Sequence, residues 1–267
     1  MELRRRAPSG RGDGGATWQL RNYWNGTASV GRELGSLSTE ALRGGPALLM
    51  PPRTTWSVNV HSDTRKSAQG VLATNGFRDD GTGGRGTTVV VELDARLTDR
   101  LRVAVAPGVS RANEALRYVG HVAGATPDAG YIVGRLTQTT ASLTARADLA
   151  FSPHATLQLY AQPLMGSAQY SELGEVVAPR APRIDDRVRP VNPAGIGDPS
   201  FGTRDVLANA VFRWEYRPGS ALFVVFTQQR DARLDDSSWH FAQATGQLWR
   251  APASSVLMVK WSYWWTP

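Results

Sequence analysis

Two pairs of charged residues stand at strand spacing in this chain, Glu92 with Asp94 and Arg146 with Asp148. Side chains two apart on an extended segment share a face. Such a pair can work as an acid/base couple or, far more often, as part of an ion-paired wet surface. The four histidines, His61, His121, His154 and His240, are far apart, and none stands at ligand spacing from another. His61 and Asp63 share a parity, which a polar lining explains without a metal. There are no cysteines, so there is no thiol nucleophile, Cys-based metal site or disulfide framework. No serine sits in a Gly-x-Ser-x-Gly elbow. The glycine-rich stretch 78–86 lacks a Gly-Lys-Ser/Thr ending and leads into no helical pattern, so it reads as a surface loop. Asn25-Gly26-Thr27 matches a glycosylation acceptor that is common by chance, and nothing is assigned to it. The expectation is a protein that is not an enzyme, with no catalytic residue, no metal and no cofactor.

The elements that hold these residues alternate. Val89, Val91, Leu93, Ala95 and Leu97 oppose Glu92, Asp94 and Arg96; after a tight Thr98-Asp99-Arg100 turn, Leu101, Val103 and Val105 oppose Arg102. Residues 131–151 form one long run in which Ala145, Ala147, Leu149 and Phe151 oppose Arg146 and Asp148. Ser152-Pro153-His154 then turns it into 157–163, with Tyr160 and Gln162 on the polar side. Farther on, Phe212, Trp214 and Tyr216 oppose Arg213 and Glu215, and Pro218-Gly219 leads into 221–229. An earlier strand, 54–61, sets Trp56, Val58 and Val60 against Ser57, Asn59 and His61. In the last strand Leu257, Val259, Trp261, Tyr263 and Trp265 share one parity, and Lys260 stands on the other. An apolar outside, a polar inside and aromatics crowded at one end are what the wall of a transmembrane β-barrel needs. A soluble β-sandwich that binds carbohydrate through exposed aromatics also alternates, and is the competing reading.

Connection lengths separate the two. Counted back from the C-terminus, the tight turns at 218–219, 152–154, 98–100 and 62–66 fall on one side. The stretches 230–253, 166–203, 123–130 and 78–86 fall on the other. Outer-membrane barrels have this asymmetry, and a sandwich gives no reason for it. The expected fold is therefore all-β, an antiparallel transmembrane β-barrel of about ten visible strands, with a short helix over 241–249. Residues 1–15, rich in Arg and Gly, are expected to be disordered or a loop remnant, 16–267 to form the barrel, and 28–52 to be loop-like.

Composition bounds the partners. The net charge of +7 comes from scattered arginines, with Lys66 and Lys260 the only lysines, and such scatter does not suit nucleic acid. The 27 glycines and 16 prolines provide for many turns. No apolar run reaches the roughly 18 residues of a transmembrane helix, so a membrane span must be built of strands. The start, Met1-Glu2-Leu3-Arg4-Arg5-Arg6, has no apolar stretch behind it and is not a signal peptide. The expectation is that the chain is a C-terminal piece of a longer exported protein and part of a larger barrel.

Several strings carry a resemblance. They are Arg53 through Lys66; Arg146 through Pro153 with Leu157-Gln158-Leu159-Tyr160-Ala161-Gln162-Pro163; Arg213-Trp214-Glu215-Tyr216-Arg217-Pro218-Gly219-Ser220; and Val259-Lys260-Trp261-Ser262-Tyr263-Trp264. Over roughly residues 50–265 the chain resembles the C-terminal barrel of large bacterial envelope proteins, whose N-terminal part is similar to a family-9 carbohydrate-binding module. That barrel is known as a domain of unknown function. The resemblance implies an outer-membrane location and, by association, glycan handling by a channel, importer or surface-binding barrel. The implied partners are outer-membrane lipid, the insertion machinery and polysaccharide or oligosaccharide. The expected lumen lining is Glu92, Asp94, Arg96, Arg102, Arg146, Asp148, Tyr160, Gln162, Arg213, Glu215 and Lys260. The expected assembly signal is Leu257, Val259, Trp261, Tyr263 and Trp265.

Overall fold

The computed structural model of the chain describes residues 11–122, 129–192 and 195–265. Most of the expected loop at 123–130 and the basic start at 1–10 lie outside the described residues. In chain order the elements are β1 (Arg11–Gln19), β2 (Asn25–Glu33), β3 (Ser36–Ser38), β4 (Leu48–Met50), β5 (Arg53–His61), β6 (Ala68–Asp79), β7 (Arg85–Thr98), β8 (Leu101–His121), β9 (Tyr131–Ser152) and β10 (Ala155–Val176). Then follow α1 (Ile184–Arg187), β11 (Val188–Pro190), β12 (Phe201–Arg217), β13 (Ser220–Leu234), α2 (Phe241–Arg250) and β14 (Ala253–Ser262).

One sheet takes up almost all of this. Its strands follow the order β1-β2-β5-β6-β7-β8-β9-β10-β12-β13-β14, with β11 added to β10 and a separate β3–β4 hairpin. Every neighbouring pair along the path is antiparallel. A sandwich requires a second sheet facing the first; among the described residues the only other sheet is that hairpin. Eleven strands that alternate in direction leave β1 and β14 running the same way, and both are edges of the path.

Hairpins between the strands are tight where local chemistry permits. Thr98 Oγ1 accepts from Arg100 N, and Ser152 Oγ from His154 N, closing two-residue turns. Gly219 takes φ +77° in the Pro218-Gly219 turn, a conformation that favours glycine. The connections 20–24, 62–67, 99–100, 153–154 and 218–219 lie at one end of the sheet; the strand termini that flank 34–52, 80–84, 122–130, 177–200 and 235–252 lie at the other. Glycines opposite aromatic rings are a second local device. Trp18 pairs with Gly26, Trp56 with Gly76 and Phe77 with Gly86, and each ring lies across the backbone that a Cβ would block.

Several sequence expectations are corrected here. Residues 11–15 form the first half of β1, and 28–52 contain most of β2 and the β3–β4 hairpin. Strand β10 continues to Val176 and β12 begins at Phe201, so the expected insertion 166–203 shrinks to 177–200. Strands β8, β9 and β10 have 21, 22 and 22 residues, about twice the roughly 9–11 that a membrane-crossing strand takes. Their long-loop ends carry a loop core. Leu42 and Leu48, from the β2–β5 connection, are buried against Leu116, Val133 and Val176. Arg187 is buried beside them and donates to the carbonyls of Leu49, Ala181 and Pro182, which satisfies a cation that would otherwise be costly to bury.

Candidate functional site: the two faces of the sheet

Register fixes which side chains share a face. Arg102 pairs with Asp148 and Arg96, Arg146 with Ala104 and Tyr160, Asp94 with Ala104, and Glu92 with Val71. Tyr160 pairs with Asn209, Gln162 with Leu207, Arg213 with Thr156 and Phe223, and Lys260 with Phe223. By these pairings and the alternation along β12, all eleven residues expected to line a lumen, Glu215 included, stand on one face. The opposite face carries Val58, Leu72, Val91, Leu93, Val105, Leu149, Leu157, Leu159, Phe212, Trp214, Val224, Phe226, Leu257, Val259 and Trp261.

The centre of the polar face is a groove over β7, β8 and β9. Ala104 and Ala106 form its floor; Glu92 and Asp94 wall one side, and Thr144, Arg146 and Asp148 the other, enclosing about 400 Å³. Arg102 grips Asp94 in a fork, Nε to Oδ1 at 2.9 Å and Nη2 to Oδ2 at 2.8 Å. That fork offsets the juxtaposition of Arg102 with Arg96. Arg146 lies 5.3 Å from the centroid of the Tyr160 ring, whose hydroxyl donates to Gln162 Oε1 at 2.7 Å. Arg213 donates to Glu215 at 2.8 Å. With Arg102 more than half exposed, water screens its pairing and the pairing adds little to stability. These charges therefore organise a wet surface more than they stabilise the sheet.

The structure adds partners that residue spacing does not reveal. Arg53 binds Asp79 (Nε to Oδ1, 2.6 Å), stacks 3.9 Å from the Phe77 centroid and reaches Glu114 at 3.4 Å, across β6 and β7. Asn209 Oδ1, opposite Tyr160, is buried and meets no hydrogen-bond partner among the described residues. Toward the β14 edge the polar face changes character: Phe223, Val225, Val256 and Met258 flank Lys260, so Lys260 is remote from the charged groove. Among the described residues no three His, Cys, Asp or Glu side chains stand together to hold a metal ion.

Aromatic residues gather at the short-turn end. Trp214 and Tyr216 meet at 6.0 Å, and Trp261 and Tyr263 at 6.5 Å. Trp261 Nε1 donates to the Tyr216 hydroxyl, which donates to Ser262 O at 3.1 Å; Arg217 donates to the Tyr263 hydroxyl at 3.0 Å. Phe151 stacks edge-on against Phe212 at 6.4 Å. Among the expected assembly residues, Leu257, Val259 and Trp261 are in β14, while Tyr263 and Trp265 follow its last residue, Ser262.

The far end of the apolar face is covered instead. Ala244 and Leu248 of α2 are buried against Ala141, Met165 and Val206, with Ala208 and Trp239 around them. These strand residues share the face of Leu157 and Phe212. Arg204 belongs to that face too, yet is only 2% exposed. Its Nη1 donates to Gly166 O (2.9 Å) and Thr203 O (2.7 Å), and its Nε and Nη2 to Gln247 Oε1 (3.1 and 2.8 Å). Arg230 Nη1 donates to Trp249 O (2.7 Å) and Ala251 O (3.2 Å), satisfying carbonyls at the helix C-terminus.

One long antiparallel meander, apolar on one face and polar on the other, with tight turns at one end, is the wall of an outer-membrane-type β-barrel. A solved structure named "Copper transporter OprC" shares the fold, with a TM-score of 0.50 over 93% of this chain at 10% identity. The chain spans 39% of the length of that structure. Residues 32–265 match the family described as "Domain of unknown function (DUF5916)", and the chain belongs to that family. No curated protein matches it.

Proposed function

We propose that the chain forms part of the wall of a barrel in the bacterial outer membrane, its apolar face in lipid and its charged face lining a wet passage. The observation that carries this reading is the segregation of all eleven polar candidates from the apolar face along strands whose long and short connections alternate. The reach of Arg53 to Glu114 across two strands favours curvature toward the polar face. The groove between Glu92/Asp94 and Arg146/Asp148 suits a hydrated polar solute and gives no grip to an apolar one. A channel, importer or surface-binding barrel fits these features. The link to glycans is carried by the sequence resemblance.

Since β1 and β14 run in the same direction, joining them would create a parallel seam. Closing the wall with antiparallel pairs takes an odd number of further strands, and a second copy inserted with the same orientation would again meet the first in parallel.

Expression of the chain behind an export signal tests the reading. It should fractionate with outer membranes, resist extraction by alkaline carbonate and require detergent for release. Recovery as a soluble monomer without detergent would overturn it.

A further inference from the structure

Helix α2 occupies a position that a wet external loop does not require. It lies on the apolar face, clamped by two arginines of that same face, Arg204 through Gln247 and Arg230 through the carbonyls of Trp249 and Ala251. The segment before it is fastened as well: Ser167 Oγ and Gln169 Nε2 both donate to Ser237 O. Its outer side is Ala242, Gln243, Gly246, Trp249 and Arg250, with Phe241 at its start; Phe241 is 63% and Trp249 58% exposed. Residues 241–250 contain no carboxylate.

Height along the wall indicates what meets that side. Strand β12 places Val206, against α2, ten residues from Tyr216 in the aromatic cluster. Ten residues span about 33 Å along a strand. At a tilt of about 40° that projects to about 25 Å, the height of the apolar band of such barrels. The aromatic cluster therefore marks one edge of the band and α2 the other. Aromatic girdles occupy both edges, but above the band the strands beneath α2 offer Pro163, Met165, Arg204, Val206, Gln228 and Arg230 on this face, none aromatic. Phe241 and Trp249 supply what those strands lack.

We propose that α2 is an interfacial helix that seats Phe241 and Trp249 among lipid headgroups at the long-loop edge of the wall, its partner being a lipid surface with anionic groups near Arg250. Aromatic rings on the outer side of a protein-packed helix sit at headgroup depth in the same way as a barrel's girdle. The helix also shields Arg204 and Arg230, which would otherwise meet the edge of the hydrocarbon. The inference rests on the apolar face being the lipid face.

The chain has no native cysteine, so single-site labelling tests this directly. Gly246→Cys places a thiol on the outer side of α2, where an added Cβ meets no atom within 4 Å, and Trp249→Cys is the second site. Each is labelled with an environment-sensitive fluorophore in phosphatidylcholine/phosphatidylglycerol vesicles that carry a nitroxide at the headgroup or at mid-chain. Val91→Cys reports the wall. The proposal expects most of the Gly246 and Trp249 label emission to be lost to the headgroup nitroxide, little to the mid-chain nitroxide, and the reverse at Val91. Labels on α2 open to aqueous iodide and untouched by either nitroxide, with Val91 still quenched at mid-chain, would overturn the helix placement alone. An unquenched Val91 label would overturn the wall reading and the helix proposal with it.

Discussion

The clamp between Arg204 and Gln247 gives the most quantitative prediction. Gln247→Leu keeps the volume and helix propensity of the side chain but removes the oxygen that accepts from both Nε and Nη2 of a guanidinium only 2% exposed. A hydrogen bond to a charged group is worth about 1.5–3 kcal/mol, and a buried donor left without an acceptor bears its full desolvation penalty. Both N–H groups share one acceptor, so the loss counts once, at about 2–3 kcal/mol. That corresponds to about a 30- to 150-fold shift in the equilibrium for undocking α2. Hydrogen exchange of the amides of residues 241–250 in detergent micelles reads this directly: exchange should accelerate by that factor, while amides of β8 and β9 stay protected. Arg204→Met alone strands Gln247 and should also loosen the helix. The double variant Arg204→Met, Gln247→Leu removes both polar partners and should recover most of the protection. Equal protection in wild type and Gln247→Leu, or strict additivity in the double variant, would show that Arg204 and Gln247 do not clamp the helix.

Three further outcomes follow from other parts of the wall. Trp261→Asp or Tyr263→Asp puts a charge into the aromatic cluster and should block membrane assembly; unchanged insertion of both, read by heat-modifiable mobility, would remove that role. Gly76→Val would put a Cβ 2.5 Å from Gly86 O and 2.6 Å from the Trp56 ring and, as an overpacking change, should cost about 1–3 kcal/mol in urea unfolding; an unchanged midpoint would show that the strand and ring do not pack there. In the 62–67 turn, Asp63 Oδ1 accepts from Arg65 N and Nε at 3.0 and 2.9 Å, which holds its carboxyl at about 2. Because the folded value is below the unfolded one, the contribution is complete above about pH 4 and is lost as pH falls toward 2. Asp63→Asn should abolish that part of the acid sensitivity, whereas parallel acid titrations of variant and wild type would contradict it.

The strands legible in the sequence are those with unlike faces. Residues 89–105 and 141–162 alternate because charge on one side and aliphatic residues on the other leave a single register. β1 and β2 escaped because Gly12, Gly14, Gly15, Gly26 and Gly31 have no side chain to carry a period, and the Trp18 ring that lies over Gly26 is a strand away. The upper half of β10 escaped because Pro163 and the small residues after it read as an insertion. That the polar candidates share one face was legible by parity, and the register places them so. Their connections were not: Arg53 meets Glu114 only through the sheet. Arg204 shows the limit most clearly. By residue type it belongs in a lumen; by register it is on the apolar face, and the helix that makes this tolerable arrives 43 residues later in the chain.

Thiol accessibility along β7 reads whether the two faces of one strand meet different solvents. Single cysteines at 88 through 96, in protein inserted into vesicles, are exposed to a charged, water-soluble maleimide. Positions 88, 90, 92, 94 and 96 should react, and 89, 91, 93 and 95 should be protected until the lipid is dissolved in detergent. Uniform reactivity across the nine positions, or protection of the even set, would contradict that division of the two faces.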